Sequence, residues 1–204
     1  GGSNGFMMEN FKDVGIAKAN SLLSVDFDSD GFKDVAVLTG NTVNMLWATK
    51  IKDSASKTDA SGTFDLSAIR LPDDKGTCFT AGDIDRDGHP DIIVGCLGKL
   101  YFINGKRGRS SNSIKTVPVS TNATSVSVGD IDGDGSTDII VSSSLLNPES
   151  GETMGESKTV NSNSVILWGN KGNFSPDQTT ELIAPYSVST AIADIDGDGY
   201  QDII

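Results

Sequence analysis

The chain is poor in the residues that most often carry chemistry. It has one histidine, His89, and two cysteines, Cys78 and Cys96, in 204 residues. That one His lies within an Asp-rich loop, which leaves a Ser-His-Asp or Cys-His nucleophile arrangement no obvious place to form, and with no Cys or second His beside the Asp clusters, metal sites built on thiolate or imidazole are disfavoured. No catalytic residues are therefore expected. No run approaches the roughly 18 consecutive apolar residues of a membrane-spanning helix, and no charged n-region followed by an apolar h-region opens the chain. Basic residues do not cluster beyond one short turn, Lys106-Arg107-Gly108-Arg109, which reads as a solvated hairpin end rather than a nucleic-acid surface. Aromatics make up only 6%.

What the chain has is aspartate at fixed spacing. Four nine-residue stretches, 26–34 (DFDSDGFKD), 83–91 (DIDRDGHPD), 130–138 (DIDGDGSTD) and 194–202 (DIDGDGYQD), carry Asp at positions 1, 3, 5 and 9, Gly at position 6 and an apolar residue at position 2. Carboxylates this close repel one another by roughly 4 kcal/mol per pair at 4 Å and an effective dielectric of about 20. A hard dication among them removes the repulsion, and calcium takes about six to eight oxygens in flexible geometry. The expected ligands are the side chains of Asp26, Asp28, Asp30 and Asp34; of Asp83, Asp85, Asp87 and Asp91; of Asp130, Asp132, Asp134 and Asp138; and of Asp194, Asp196, Asp198 and Asp202. The position-7 carbonyls of Phe32, His89, Ser136 and Tyr200 would each add an oxygen. Up to four Ca²⁺ follow, one per loop.

An EF-hand would need a bidentate Glu at position 12. The first three copies have Val37, Val94 and Val141 there, which excludes it. Short β-branched runs follow position 9 instead, and small or apolar residues lead in, so each loop joins two strands. A third strand is predicted at Val43–Trp47, Leu100–Ile103 and Val165–Trp168, and a fourth at Phe64–Ile69, Ile114–Val117 and Glu181–Ala184. The loops begin at 26, 83, 130 and 194, hence 57, 47 and 64 residues apart, which suits one four-stranded unit per period. Phe6, Phe64 and Phe174 stand 20, 19 and 20 residues before a loop, so the N-terminus is in phase. The chain then opens on a fourth strand, runs through three complete units and stops within the second strand of another.

These loops resemble the FG-GAP repeats of the integrin alpha-subunit propeller and their bacterial relatives, and the resemblance covers nearly the whole chain. It implies an all-β fold: a β-propeller of four-stranded antiparallel blades, with calcium in the hairpin between a blade's first two strands. Residues 1–204 would form one propeller segment of a partial set of blades. Such a set does not close a ring, so a longer parent chain is expected, the alternative being closure through self-association with a second copy.

Other residues leave alternatives open. A hairpin symmetric about Asp87 would set Cys78 opposite Cys96, close enough for a disulfide; the other reading is two buried free thiols. Trp47 and Trp168 occupy equivalent strand positions and read as core rather than as a sugar-stacking platform. Asn122 and Asn173 open glycosylation sequons, the second weakened by Pro176. The polar stretches 53–62 and 145–163 are surface insertions or binding loops on a rigid scaffold.

Sixteen of the 28 acidic residues are loop Asp, leaving 12 against 16 Lys plus Arg. Four bound Ca²⁺ would thus move the net charge from −12 to −4, so the acidity reports metal loops rather than an acidic surface. The functional expectation is a calcium-stabilised extracellular or cell-surface module for binding or adhesion. It would recognise a protein or glycan on the face opposite the calcium loops, with no nucleic acid and no membrane insertion. The alternatives are the propeller domain of a secreted polysaccharide-active enzyme, or a scaffold in a surface filament or coat.

Overall fold

The computed structural model describes residues 13–48, 64–109, 113–144, 163–184 and 186–204. These form antiparallel β-sheets with no helix among the described residues. The first sheet contains β1 (Ser21–Val25), β2 (Asp34–Thr39), β3 (Thr42–Ala48) and β4 (Phe64–Arg70) in the order β1-β2-β3-β4. Burial follows that order. The apolar residues of β2 and β3 are covered on both faces, whereas β4 exposes five successive residues from Phe64 to Ala68. This explains why β2 and β3 read as nearly continuous apolar runs rather than as alternating ones.

The second sheet joins β5 (Cys78–Gly82), β6 (Asp91–Ile103), β7 (Ile114–Gly129), β8 (Asp138–Ser143), β9 (Ser164–Asn170) and β10 (Asn173–Leu182) in one antiparallel order, β10-β9-β8-β7-β6-β5. Its β6 contains both the second and the third strand expected for that unit. Thirteen extended residues would reach about 43 Å, yet the Asp91 carboxylate accepts a hydrogen bond from Gly105 N at 2.6 Å. The run therefore doubles back. It does so at Leu97–Gly98, where Gly98 takes a φ of +67°, a conformation open to glycine at little cost. The side chains confirm the reversal, since Ile92 and Val94 share one core with Tyr101 and Ile103, while Ile93 shares the other with Leu100 and Phe102.

The β7 strand departs from expectation in a different way. Its first part pairs with β6 from Ile114↔Ile103 to Pro118↔Lys99, and its last part pairs with β8 from Ala123↔Ser143 to Gly129↔Asp138. The fourth strand of one unit thus passes into the first strand of the next without leaving the ladder. Between β4 and β5, by contrast, the Pro72-Asp-Asp-Lys-Gly76 stretch breaks the pairing. The β10 strand begins at Asn173 rather than near Glu181 because the Lys171-Gly172 turn pairs Asn173 directly with Asn170. Its register breaks between Phe174 and Thr179, around Pro176, which has no N–H to give. A last pair, β11 (Ile192–Ala193) with β12 (Asp202–Ile203), flanks the fourth loop.

Two apolar cores result among the described residues, and the β5–β6 part of the second sheet lies between them. One face of β6 packs Val94 and Tyr101 against Leu38, Met45 and Trp47 of the first sheet. The other packs Ile93 and Phe102 with Val126, Ile139 and Leu167. There Phe102 meets Phe174 edge-on, with centroids 5.2 Å apart. Trp47 is buried as expected, and its Nε1 donates to Ser67 Oγ at 2.7 Å. Trp168 is only half-buried and donates to Thr180 Oγ1.

The Cys78–Cys96 pairing does not occur. Both thiols are free, because Cys78 pairs with Gly95 rather than Cys96. A one-residue shift in register sends a side chain to the opposite face of the sheet, and accordingly Cys96 lies in the first core while Cys78 packs on the second. The same shift appears at Ser21↔Leu38 and Ser125↔Ser142. Asn122 of the first sequon is buried and paired with Leu97 in the ladder, leaving no room for a glycan. The expected strand at Phe6, the stretch 53–62 and residues 145–162 of the longer insertion lie outside the described residues.

Burial pushes the Cys78 thiol up to about 11 and the Cys96 thiol up to about 12. Because the thiolate is the nucleophile, both should resist alkylation at pH 8 in the folded protein and react on unfolding. Intact mass under denaturing conditions should be the same with and without reductant, and a two-hydrogen deficit before reduction would contradict this register.

Candidate metal centre

Each acidic stretch is the hairpin between two strands, and the residue before position 1 pairs with position 9: Val25↔Asp34, Gly82↔Asp91, Gly129↔Asp138 and Ala193↔Asp202. Glycine at position 6 takes φ values of +92°, +87°, +86° and +92° at Gly31, Gly88, Gly135 and Gly199. A Cβ at Gly31, Gly88 or Gly199 would touch nothing, so conformation rather than space requires glycine there.

Positions 1, 3 and 9 converge in all four loops. One carboxylate oxygen from each member of Asp26/Asp28/Asp34, Asp83/Asp85/Asp91, Asp130/Asp132/Asp138 and Asp194/Asp196/Asp202 lies within 4.8 Å of the others. The backbone holds them so. Position 1 accepts from the position-6 N–H at 2.9, 2.9, 2.9 and 3.0 Å in loops one to four. Position 5 stands outside the convergence, which departs from the sequence expectation. The carboxylates of Asp30, Asp87, Asp134 and Asp198 instead accept the backbone N–H groups of Phe32, His89, Ser136 and Tyr200 at 2.9, 2.9, 2.5 and 2.8 Å. This is an Asx-type turn that stiffens the reversal.

Position 9 has a second role that the spacing did not reveal. Asp34, Asp91 and Asp138 are at most 1% exposed. One oxygen of each accepts the position-2 N–H, from Phe27, Ile84 and Ile131 at 2.9, 3.0 and 2.9 Å. The other accepts a backbone N–H at the end of the unit's third strand, from Ala48, Gly105 and Gly169 at 2.8, 2.6 and 2.9 Å. The donors follow their Asp by 14, 14 and 31 residues, and the third interval contains the long insertion. That interruption hid the pattern from sequence reading. Burial raises all three carboxyls, Asp91 to about 6, with Asp85 and Asp87 adding repulsion there.

The first three loops also touch each other. Ser29 Oγ bonds His89 Nδ1 at 2.8 Å, Thr137 Oγ1 donates to Asp83 O at 3.2 Å, and Arg86 Nη2 lies 4.0 Å from Asp130 Oδ2. Arg109 is not the solvated hairpin end expected from its basic turn. It binds Asp28 at 3.2 Å and Asp65 at 2.5 Å, and it lies over the Trp47 ring.

A hard cation fits this arrangement. Asp28 Oδ1 and Asp130 Oδ1 are buried with no hydrogen-bond partner. A buried carboxylate oxygen left alone is costly, and three converging carboxylates per loop offer the oxygen donors that calcium prefers. A bound dication would supply positive charge there, held by positions 1, 3 and 9.

Fold and loops together define an all-β repeat protein in which each unit carries an acidic hairpin. The family model described as FG-GAP-like repeat matches residues 26–94, and the model described as FG-GAP repeat matches residues 122–153. The chain carries repeats of the FG-GAP type. No curated protein matches it.

Replacing Asp138 by Ala would leave two backbone N–H groups unpaired, so it should cost about 2–4 kcal/mol even in chelator, whereas Asp134→Ala should cost far less. Equal losses in urea unfolding would contradict the latch. A raised acid contributes stability that is fully present below its unfolded pKa and lost as pH rises through its folded one. For Asp91 that window runs from 3.8 to about 6. The metal-free protein should therefore lose melting temperature across this window, and excess calcium should abolish the loss; a metal-free melting temperature that rises there would contradict it.

Proposed function

We propose that this chain is a calcium-stabilised segment of a β-propeller that serves as an extracellular binding or adhesion module without catalysis of its own. The observation carrying the calcium part is the pair of buried, unpartnered oxygens, Asp28 Oδ1 and Asp130 Oδ1, each within a convergent carboxylate triad. The propeller part is supported by the FG-GAP-type repeats and by the first sheet, a four-stranded antiparallel meander. Extracellular location fits loops that need abundant calcium and a family whose members typically act outside the cell. No helix among the described residues is long and apolar enough to cross a membrane.

The partner is a protein or glycan bound on the face away from the acidic hairpins. Connectivity favours that face, because in a meander the first and third turns emerge on one side and the second on the other. The 145–163 insertion follows β8 and precedes β9, as a second turn does. The propeller domain of a secreted polysaccharide-active enzyme, or a coat scaffold, is the competing role.

Because the cation would bind the folded loops and not the unfolded chain, stability should follow RT ln(1 + [Ca]/Kd), about 2.7 kcal/mol at a hundredfold excess over Kd. Thermal unfolding should show a melting temperature several degrees higher with calcium than with chelator. Native mass spectrometry should count up to four ions. Identical melting curves with no bound ion would end the calcium reading.

A further inference from the structure

The loops offer a cation unequal surroundings, because the position-3 carboxylate meets a cationic side chain in the first loop, a neutral amide in the second and its own loop's backbone in the third. In the first loop Asp28, only 6% exposed, accepts Arg109 Nε on Oδ2 at 3.2 Å. In the second, Asp85 Oδ2 accepts the neutral Asn104 Nδ2 at 3.2 Å. In the third, Asp132 is exposed and accepts the backbone N–H of Asp134 at 3.0 Å. Asp28 Oδ1, the oxygen left for a cation, is buried beside the one that Arg109 holds. A cation in the first loop would share a single carboxylate with a permanently charged guanidinium.

Arg109 is held by further contacts. Its Nη1 donates to Asp65 Oδ2 at 2.5 Å, its Nη2 to Ala48 O at 3.3 Å, and its guanidinium lies 5.7 Å from the centre of the Trp47 ring. The preceding Gly108 N–H donates to Asp28 O at 3.0 Å, tying the same turn to the loop backbone. The third loop also has an arginine nearby, but Arg86 reaches Asp130 only at 4.0 Å with 54% of its side chain exposed, so water and salt screen it.

We infer that Arg109 makes the first loop the weaker cation site, filling after the third loop and emptying before it. The inference rests on the calcium reading above. When the first loop is empty, Arg109 neutralises Asp28 and steadies it. When a cation enters, two like charges face each other across one carboxylate, and Asp65 sets how strongly Arg109 presses on it. Calcium level would then be read at the junction of the two sheets, where the 105–109 turn meets β3 and β4.

The chain's two tryptophans make a site-resolved test feasible. Trp47 precedes Ala48, whose N–H binds Asp34 of the first loop, and Trp168 precedes Gly169, whose N–H binds Asp138 of the third. Terbium emission sensitised through tryptophan, taken as the part lost on Asp26→Asn in Trp168→Phe protein and on Asp130→Asn in Trp47→Phe protein, reports the first and the third loop respectively, and calcium competition gives the calcium affinities. The first loop should bind more weakly than the third. In the Trp168→Phe background, Arg109→Gln should tighten the first loop about tenfold by removing the charge; Arg109→Lys should not, and Asp65→Asn should loosen it. Arg109→Gln and Asp65→Asn both break the Arg109–Asp65 pair, so a purely structural role would shift the two in the same direction. Shifts in the same direction, no shift, or a first loop as tight as the third would overturn the inference while leaving the calcium reading intact. No sensitised emission from either tryptophan would overturn both.

Discussion

Each repeat depends on one buried carboxylate at the start of its second strand. Asp34, Asp91 and Asp138 each bridge two backbone N–H groups from segments remote in sequence, one at the head of the acidic loop and one at the end of the third strand. A buried carboxylate is normally penalised, and burial does raise these groups. Two N–H donors each offset part of that cost, while the neighbouring loop carboxylates add repulsion. The residue that closes the unit is therefore also one of the three carboxylates that converge in its acidic loop.

The units join through apolar packing below and polar contacts above. Residues of β6 alternate between two cores, so this hairpin acts as a wall shared by the neighbouring units. At the loop end, Ser29 reaches His89, Thr137 reaches the Asp83 carbonyl, and Arg109 spans Asp28 and Asp65. Neighbouring units thus meet at their acidic loops through side chains as well as through their shared core.

Much of the site was legible because aspartate at positions 1, 3 and 9 with glycine at 6 has few structural explanations. The strand-loop-strand setting and the three-strand continuation after each loop were legible from β-branched runs. Position 5 was expected beside the other three carboxylates and lies outside their convergence, because spacing shows which side chains are near a loop, not where the turn's backbone N–H groups draw them. Cys78 and Cys96 were misaligned by one residue, because symmetry about Asp87 ignores that position 9 already belongs to the ladder. The run from Ile114 to Gly129 hid its unity, since nothing in the sequence says that a fourth strand and the next first strand share one ladder.

By itself, then, the sequence determined the acidic hairpins, their repetition and the antiparallel strands around them, since these follow from local spacing, φ requirements and hydrophobic period. Only the tertiary structure decided the register that parts the two thiols, the doubling back of β6, the latch to Ala48, Gly105 and Gly169, and the capture of Asp28 by Arg109. Each of those depends on contacts between residues that variable loops separate along the chain, up to 81 positions for Arg109 and Asp28. Local chemistry sets what a segment can become, and packing sets which distant group it meets.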